Sequence, residues 1–199
     1  MLELAILGLL KERPMHGYQL SRELNDALGG LWRVSYGSLY PTLRRLEADG
    51  AVKGAATDAP TAGRRKTVYR ITEKGERLFL RLLEEPPHEG QAEDARFRVR
   101  LAFFRYLAPE TRIRLLDRRR EALEERLSGI KEAIRAADAE TTNDDYQRAL
   151  MEHGRTATEA DIAWLTGLIH TERTKFGITA PQGDRRRASA TLRRKEHTA

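Results

Sequence analysis

Residues 34–52 read VSYGSLYPTLRRLEADGAV. Leu39, Leu43 and Leu46 recur at helical spacing and predict one buried stripe. Gly50 falls where a helix C-terminus favours a left-handed residue. Ser38 reads as the N-cap, since Pro41 then lies in the first turn, where its missing N–H costs least. A cap at Ser35 would set Pro41 deeper. With the leucines inward, Ser38, Tyr40, Thr42, Arg44 and Arg45 face outward or sideways. Hydroxyls and helix-start amides suit phosphate oxygens, and arginine suits a phosphate or a guanine edge. Taken alone, the same helix also reads as amphipathic with a polar, solvated face.

Upstream, apolar residues at 2, 5, 6, 9 and 10 predict a first helix over Leu2 to Glu12, stopped by Pro14. Leu20, Leu24 and Leu28 predict a second, from about His16 to Leu28, ended by Gly29-Gly30. Downstream, AVKGAA and KTVYRIT are short strand-like runs around TDAPTAGRR, a turn composition. Three short helices and a two-stranded hairpin with Arg64, Arg65 and Lys66 at its tip are the layout of a winged helix-turn-helix. That fold sets its second, recognition helix in the major groove of DNA. A helix capped by Thr72 follows, with Leu78, Leu82 and Leu83 in its stripe, and PPHEGQ (86–91) reads as a linker.

Beyond the linker, a helix is expected over Asp94 to Leu107, broken at Ala108-Pro109. From Ile113 the apolar positions 113, 116, 123, 127, 130, 134 and 137, with Arg120 filling the gap, alternate intervals of three and four as a heptad seam. Such a seam wants a partner helix. Helical spacing returns in two pieces, Tyr146 to Met151 and Ile162 to Phe176, with Trp164 beside the second stripe. Residues 182–199, rich in Arg, Ser, Thr and Ala, read as a basic disordered tail. The expected organisation is a mainly α chain. A winged helix-turn-helix with a small β-hairpin wing spans 1–85, and a C-terminal helical dimerisation domain spans 92–178.

Composition narrows the function. Residues 1–83 carry 14 Lys and Arg against 9 Asp and Glu, residues 84–183 carry 16 against 19, and residues 184–199 carry 6 against 2. The positive charge therefore sits at the two ends, which suits a polyanionic partner there, although charge of this size also serves solubility. Without cysteine, disulfides, thiolate metal sites and cysteine nucleophiles are excluded. No run approaches the roughly 18 apolar residues of a membrane span, and MLELAILGLL lacks the features of a signal peptide, so a cytoplasmic protein is expected. The histidines at 16, 88, 153, 170 and 197 form no close ligand pair, and no P-loop or GxGxxG occurs. Neither an enzyme nor a metal or cofactor is expected.

In HGYQL (16–20), SYGSLYPTLRRLEADGAV (35–52) and GRRKTVYRITEKG (63–75) the chain resembles the PadR-like transcriptional regulators, over residues 2 to 84. The later residues are similar to that family's helical C-terminal region in layout only. The resemblance implies a dimeric winged-helix repressor whose C-terminal helices exchange contacts between subunits. It places DNA contacts at Tyr18, at the helix start with Ser35, Tyr36, Ser38 and Tyr40, at Arg44, and at the Arg64 to Lys66 wing. Pro41 and Arg45 complete the candidate DNA face. Tyr18 has a second reading, packing beneath its own helix. The turn from Ala55 to Gly63 is long for a wing, and the basic tail lies outside the family pattern. Some family members respond to phenolic or drug-like ligands, but no residue here identifies an effector.

The expected function is thus sequence-specific binding to double-stranded DNA, as a homodimeric repressor on an inverted repeat. Ile113, Leu116, Leu123, Leu127, Ile130, Ile134, Trp164, Leu165, Leu168 and Ile169 are the expected dimer contacts. The alternative is a helical protein–protein interaction module that does not bind DNA specifically.

Overall fold

The computed structural model describes residues 1–28, 34–57, 66–85, 92–139 and 144–178. Arg64, Arg65, the 86–91 linker and the basic tail 182–199 lie outside them. The chain divides into two compact units, residues 1–108 and 109–199. The first holds α1 (Leu2–Glu12), β1 (Met15–His16), α2 (Gly17–Leu28), α3 (Tyr36–Ala48), β2 (Val52–Thr57), β3 (Lys66–Ile71), α4 (Glu73–Glu84), α5 (Ala92–Leu101) and a 3-10 turn, Phe104–Tyr106. The second holds α6 (Pro109–Ala139) and α7 (Asp145–Phe176).

In the first unit α1 is the central element. Every residue from Leu4 to Leu10 is buried, on both faces rather than along one stripe, as expected of a helix that is apolar all round. It packs against α2, α3, α4, α5 and β3. The sheet has three strands in the order β1-β3-β2, all antiparallel. The hairpin agrees with the sequence reading, whereas β1 is an addition: Met15 pairs with Tyr69 and His16 with Val68. Lys66 is the first residue of β3, opposite Thr57, rather than part of the turn.

The base of the hairpin is held by Thr72. Its Oγ accepts the Gly75 N–H at 3.1 Å as the α4 cap and lies 2.7 Å from the Gly50 carbonyl oxygen, to which it donates. Gly75 presses on Ala51, and a Cβ there would stand 2.0 Å from the Ala51 oxygen. The α4 stripe centres on Phe79 and Leu83, both fully buried, with Leu78 and Leu82 at its edges.

The helix expected to run to Leu107 ends at Leu101. Phe103 and Phe104 turn inward instead. Phe103 and Tyr106 meet the Phe79 ring edge-on, with centroids 5.8 and 5.5 Å away, and Phe104 meets Phe97 at 6.2 Å. Edge-to-face pairs of this kind stabilise beyond their buried area. Residues 92–108 lie within the first compact unit.

In the second unit α6 and α7 form an antiparallel hairpin. Arg112 pairs with Glu172 at 3.2 Å, Asp117 with Arg173 at 2.9 Å and Lys131 with Glu159 at 3.0 Å, and Asp138 pairs with Arg148. Along α6 the seam residues Ile113, Leu116, Leu123 and Ile134 are buried, with Leu127 and Ile130 half-buried; α7 contributes buried Thr158, Leu165 and Ile169. The partner that the heptad seam calls for is therefore α7 of the same chain. The two helical pieces expected after residue 145 are one continuous helix. It is capped by the Asp144 side chain on the Tyr146 N–H and closed by Gly177 at φ 64°. Thr156 and Thr158 sit inside it by donating their hydroxyls to the Glu152 and Gly154 carbonyls.

Candidate nucleic-acid interface

The helix-turn-helix pair is α2 and α3. Asn25 ties the start of α3 to α2: its amide donates to the Ser21 carbonyl at 2.7 Å and the Val34 carbonyl at 3.2 Å, and its Oδ1 accepts the Val34 N–H at 2.9 Å. Val34 is buried as the chain enters α3.

The helix is capped by Ser35, not Ser38. Ser35 Oγ accepts the Ser38 N–H at 3.3 Å, and the Ser38 hydroxyl donates back to the Ser35 carbonyl at 3.0 Å. Pro41 thus lies inside the helix. Its cost is one intrahelical bond, the one that a residue 41 N–H would give to Gly37. The paired hydroxyls of Ser35 and Ser38 order the first turn and offset that loss.

At about 100° per residue, the side opposite buried Leu39, Leu43 and Leu46 carries Gly37, Pro41, Arg44 and Ala48, all exposed. Gly37 and Pro41 are slender, so the helix backbone can come close to a surface there, and Arg44 extends beyond it. Arg44 has no ion pair among the described residues. Arg45 is angled to one side and pairs with Glu3 of α1.

Exposed aromatic groups line the other flank. Tyr36 and Tyr40 stack with centroids 6.3 Å apart. The Tyr40 hydroxyl closes on Gly17, the first residue of α2, where a Cβ would stand 2.9 Å from it. Next to Gly17, Tyr18 is 49% exposed and stacks on His16, whose Nδ1 is 3.2 Å from the Thr67 carbonyl. Its exposure rules out packing beneath α2. Tyr69 of β3 stands behind this row. Burial raises its phenol above the ordinary value, the Glu47 carboxylate and Tyr40 push the same way, and Arg44 opposes them.

The structure therefore brings Tyr18, Ser35, Tyr36, Ser38, Tyr40, Pro41 and Arg44 onto the exposed surface formed by the starts of α2 and α3. Arg45 lies at its margin, and Lys66 opens a strand of the hairpin. Sequence reasoning missed two contributors. Gly17 makes room for Tyr40, and Asn25 holds the turn; a Gly at a helix start and an Asn facing a loop were the available signals. Elsewhere in the first unit, Met1, Leu4, Leu82, Glu85, Arg96 and Arg100 line a cleft of about 320 Å³. Among the described residues no group of three or more His, Asp or Glu could hold a metal ion, and no helix is long and apolar enough to cross a membrane.

The model of the transcriptional regulator PadR-like family matches residues 6–81, and that of the virulence activator alpha C-terminal region matches residues 95–171. The chain is 39% identical to transcriptional regulator Rv3488 of Mycobacterium tuberculosis, over 46% of this chain and 87% of that protein. It is 31% identical to the negative transcriptional regulator PadR of Bacillus subtilis, over 37% of this chain and 40% of that protein. The crystal structure of Bacillus subtilis PadR in complex with operator DNA aligns with 86% of this chain and 98% of that one, at 20% identity and a TM-score of 0.43. The chain belongs to the PadR-like family of transcriptional regulators, and it is a DNA-binding regulator rather than an enzyme.

Proposed function

We propose that this protein is a repressor that binds an inverted-repeat operator as a homodimer, with one α3 in each of two successive major grooves. The observation that carries the reading is Arg44, an exposed guanidinium with no ion pair among the described residues, on the outermost face of a helix whose start bears Ser35, Ser38, Tyr36 and Tyr40. Arg44 is the candidate for a guanine edge, while the hydroxyls and tyrosines suit phosphate oxygens on either side. Lys66, with Arg64 and Arg65, supplies the wing's positive charge.

The dimer contact follows from what α6 leaves over. Its seam is occupied by α7, so a second copy needs another surface. On α7 the positions 146, 150, 153, 157, 160, 164, 167 and 171 alternate intervals of four and three and are all exposed. They carry Tyr, Leu, His, Ala, Ala, Trp, Gly and Thr, with no carboxylate, lysine or arginine. Tyr146 is 86% exposed, Leu150 70% and Trp164 51%. Such a strip suits an isologous coiled-coil contact with itself. Of the sequence-derived dimer set, Trp164 lies on this strip, while Leu165, Leu168 and Ile169 belong to the side buried or half-buried in the hairpin.

A small-molecule effector is a second element of the proposal. It is supported by the cleft at Arg96 and Arg100, whose volume is at the low end of the ~300–1,000 Å³ usual for ligand pockets. Sedimentation of the chain with and without duplex DNA tests the main reading. Two protomers per duplex, with affinity falling steeply as salt rises, are expected. A monomer that ignores DNA would favour the interaction-module alternative.

A further inference from the structure

Glu47 lies in the last turn of α3, and its Oε1 accepts the backbone N–H of Gly54 in β2 at 2.9 Å. β2 is an edge strand of the sheet, where outward-facing amides go unpaired unless something covers them. Gly54 is what lets the carboxylate in. A Cβ at that position would fall 2.7 Å from Glu47 Oε1 and 2.9 Å from Thr67 Cγ2.

Each residue is unfavourable by local criteria. An acid near a helix C-terminus opposes the macrodipole, and a glycine inside a strand weakens it. They account for each other, because together they make one charge-assisted hydrogen bond, a class roughly twice as strong as the neutral kind. That bond joins the two elements that a winged helix-turn-helix presents to DNA, the recognition helix and the hairpin.

We propose that Glu47 is a positioning residue for DNA binding: by holding the Gly54 amide it fixes the hairpin at one angle to α3, so that both reach the same duplex. The inference rests on the DNA-binding reading above. Two variants of the full chain, Glu47→Ala and Glu47→Gln, test it in two measurements. Without DNA, the exchange of the Gly54 amide should quicken on the order of ten-fold in Glu47→Ala. It should stay near wild type in Glu47→Gln, whose side-chain carbonyl can accept the same N–H.

On an operator duplex, Glu47→Ala should bind on the order of ten-fold more weakly. Its hydroxyl-radical footprint should lose the flanks reached by the hairpin and keep the centre reached by α3. Glu47→Gln should restore both. Unchanged Gly54 exchange in Glu47→Ala, a footprint weakened evenly across the site, or a glutamine variant as impaired as the alanine one would overturn the proposal. If wild-type protein protects no duplex at all, the DNA-binding reading itself fails, and the positioning role with it. The Gly54 exchange rates would still show whether the bond exists.

Discussion

Replacing Gly75 by alanine should damage the first unit far more than a single methyl suggests. The new Cβ would stand 2.0 Å from the Ala51 carbonyl oxygen and 2.8 Å from Ile71 Cγ1, whereas an ordinary carbon–oxygen approach is about 3.3 Å. Relief therefore needs a movement of roughly 1.3 Å between α4 and the start of β2, and the oxygen is backbone, so no side-chain rotation provides it. The same movement pulls on the Thr72 cap, its bond to the Gly50 carbonyl, and the Thr72 N–H bond to the Ala51 oxygen at 3.1 Å. Overpacking costs about 1–3 kcal/mol and a lost cap about 1 kcal/mol, so the variant should lose ~2–4 kcal/mol. That corresponds to a fall of about 10–20 °C in Tm for a unit of this size. Gly129→Ala is the control. Nothing lies within 4 Å of a Cβ there, and alanine in a helix interior is favoured by roughly 0.5–1 kcal/mol, so this variant should be slightly more stable. Thermal and urea denaturation followed by circular dichroism measure both. A Gly75→Ala protein within about 0.5 kcal/mol of wild type would refute the close packing of α4 on the hairpin base.

Three further outcomes follow from the same geometry. Asn25→Ala, which breaks the bridge between α2 and the entry to α3, should cost about 1–3 kcal/mol of stability; an unchanged urea midpoint would show that the bridge does not hold the turn. Arg44→Ala should cost about 1–3 kcal/mol of operator binding and relax discrimination at one base pair. Anisotropy titrations with single-base variants measure this, and equal affinities would remove Arg44 from the groove. Trp164→Asp, placing a charge in the uncharged strip of α7, should shift the sedimenting mass from dimer toward monomer at micromolar concentration; an unchanged dimer would move the contact to another surface.

Much of the first unit was legible in sequence because its signals are local. The leucine stripe of α3, the Thr72 cap and Gly50, observed at φ 68°, each depend on a few neighbouring residues. The misses came where distant residues decide. Ser35 and Ser38 are both acceptable caps by type, and the hydroxyl exchange between them settles the helix at the earlier one despite Pro41. Two residues of β1 carry no periodicity, and only pairing with Val68 and Tyr69 makes them a strand. α5 stops early because Phe103 and Phe104 have rings to meet in the core, which no local pattern announces. The α6 seam correctly signalled a partner helix, but a heptad pattern says nothing about whether that helix belongs to the same chain. At the site, exposed Tyr18 and Arg44 were readable as outward positions, whereas the Glu47–Gly54 bond joins two residues that local propensity disfavours.

The central claim is that α3 reads DNA sequence as part of a two-fold assembly. Selection of bound duplexes from a random library, repeated at two salt concentrations, tests it most directly. The account predicts enrichment of an inverted repeat with half-sites about one helical turn apart, bound much more weakly at the higher salt. Recovery of duplexes with no shared sequence, or of none at all, would contradict it.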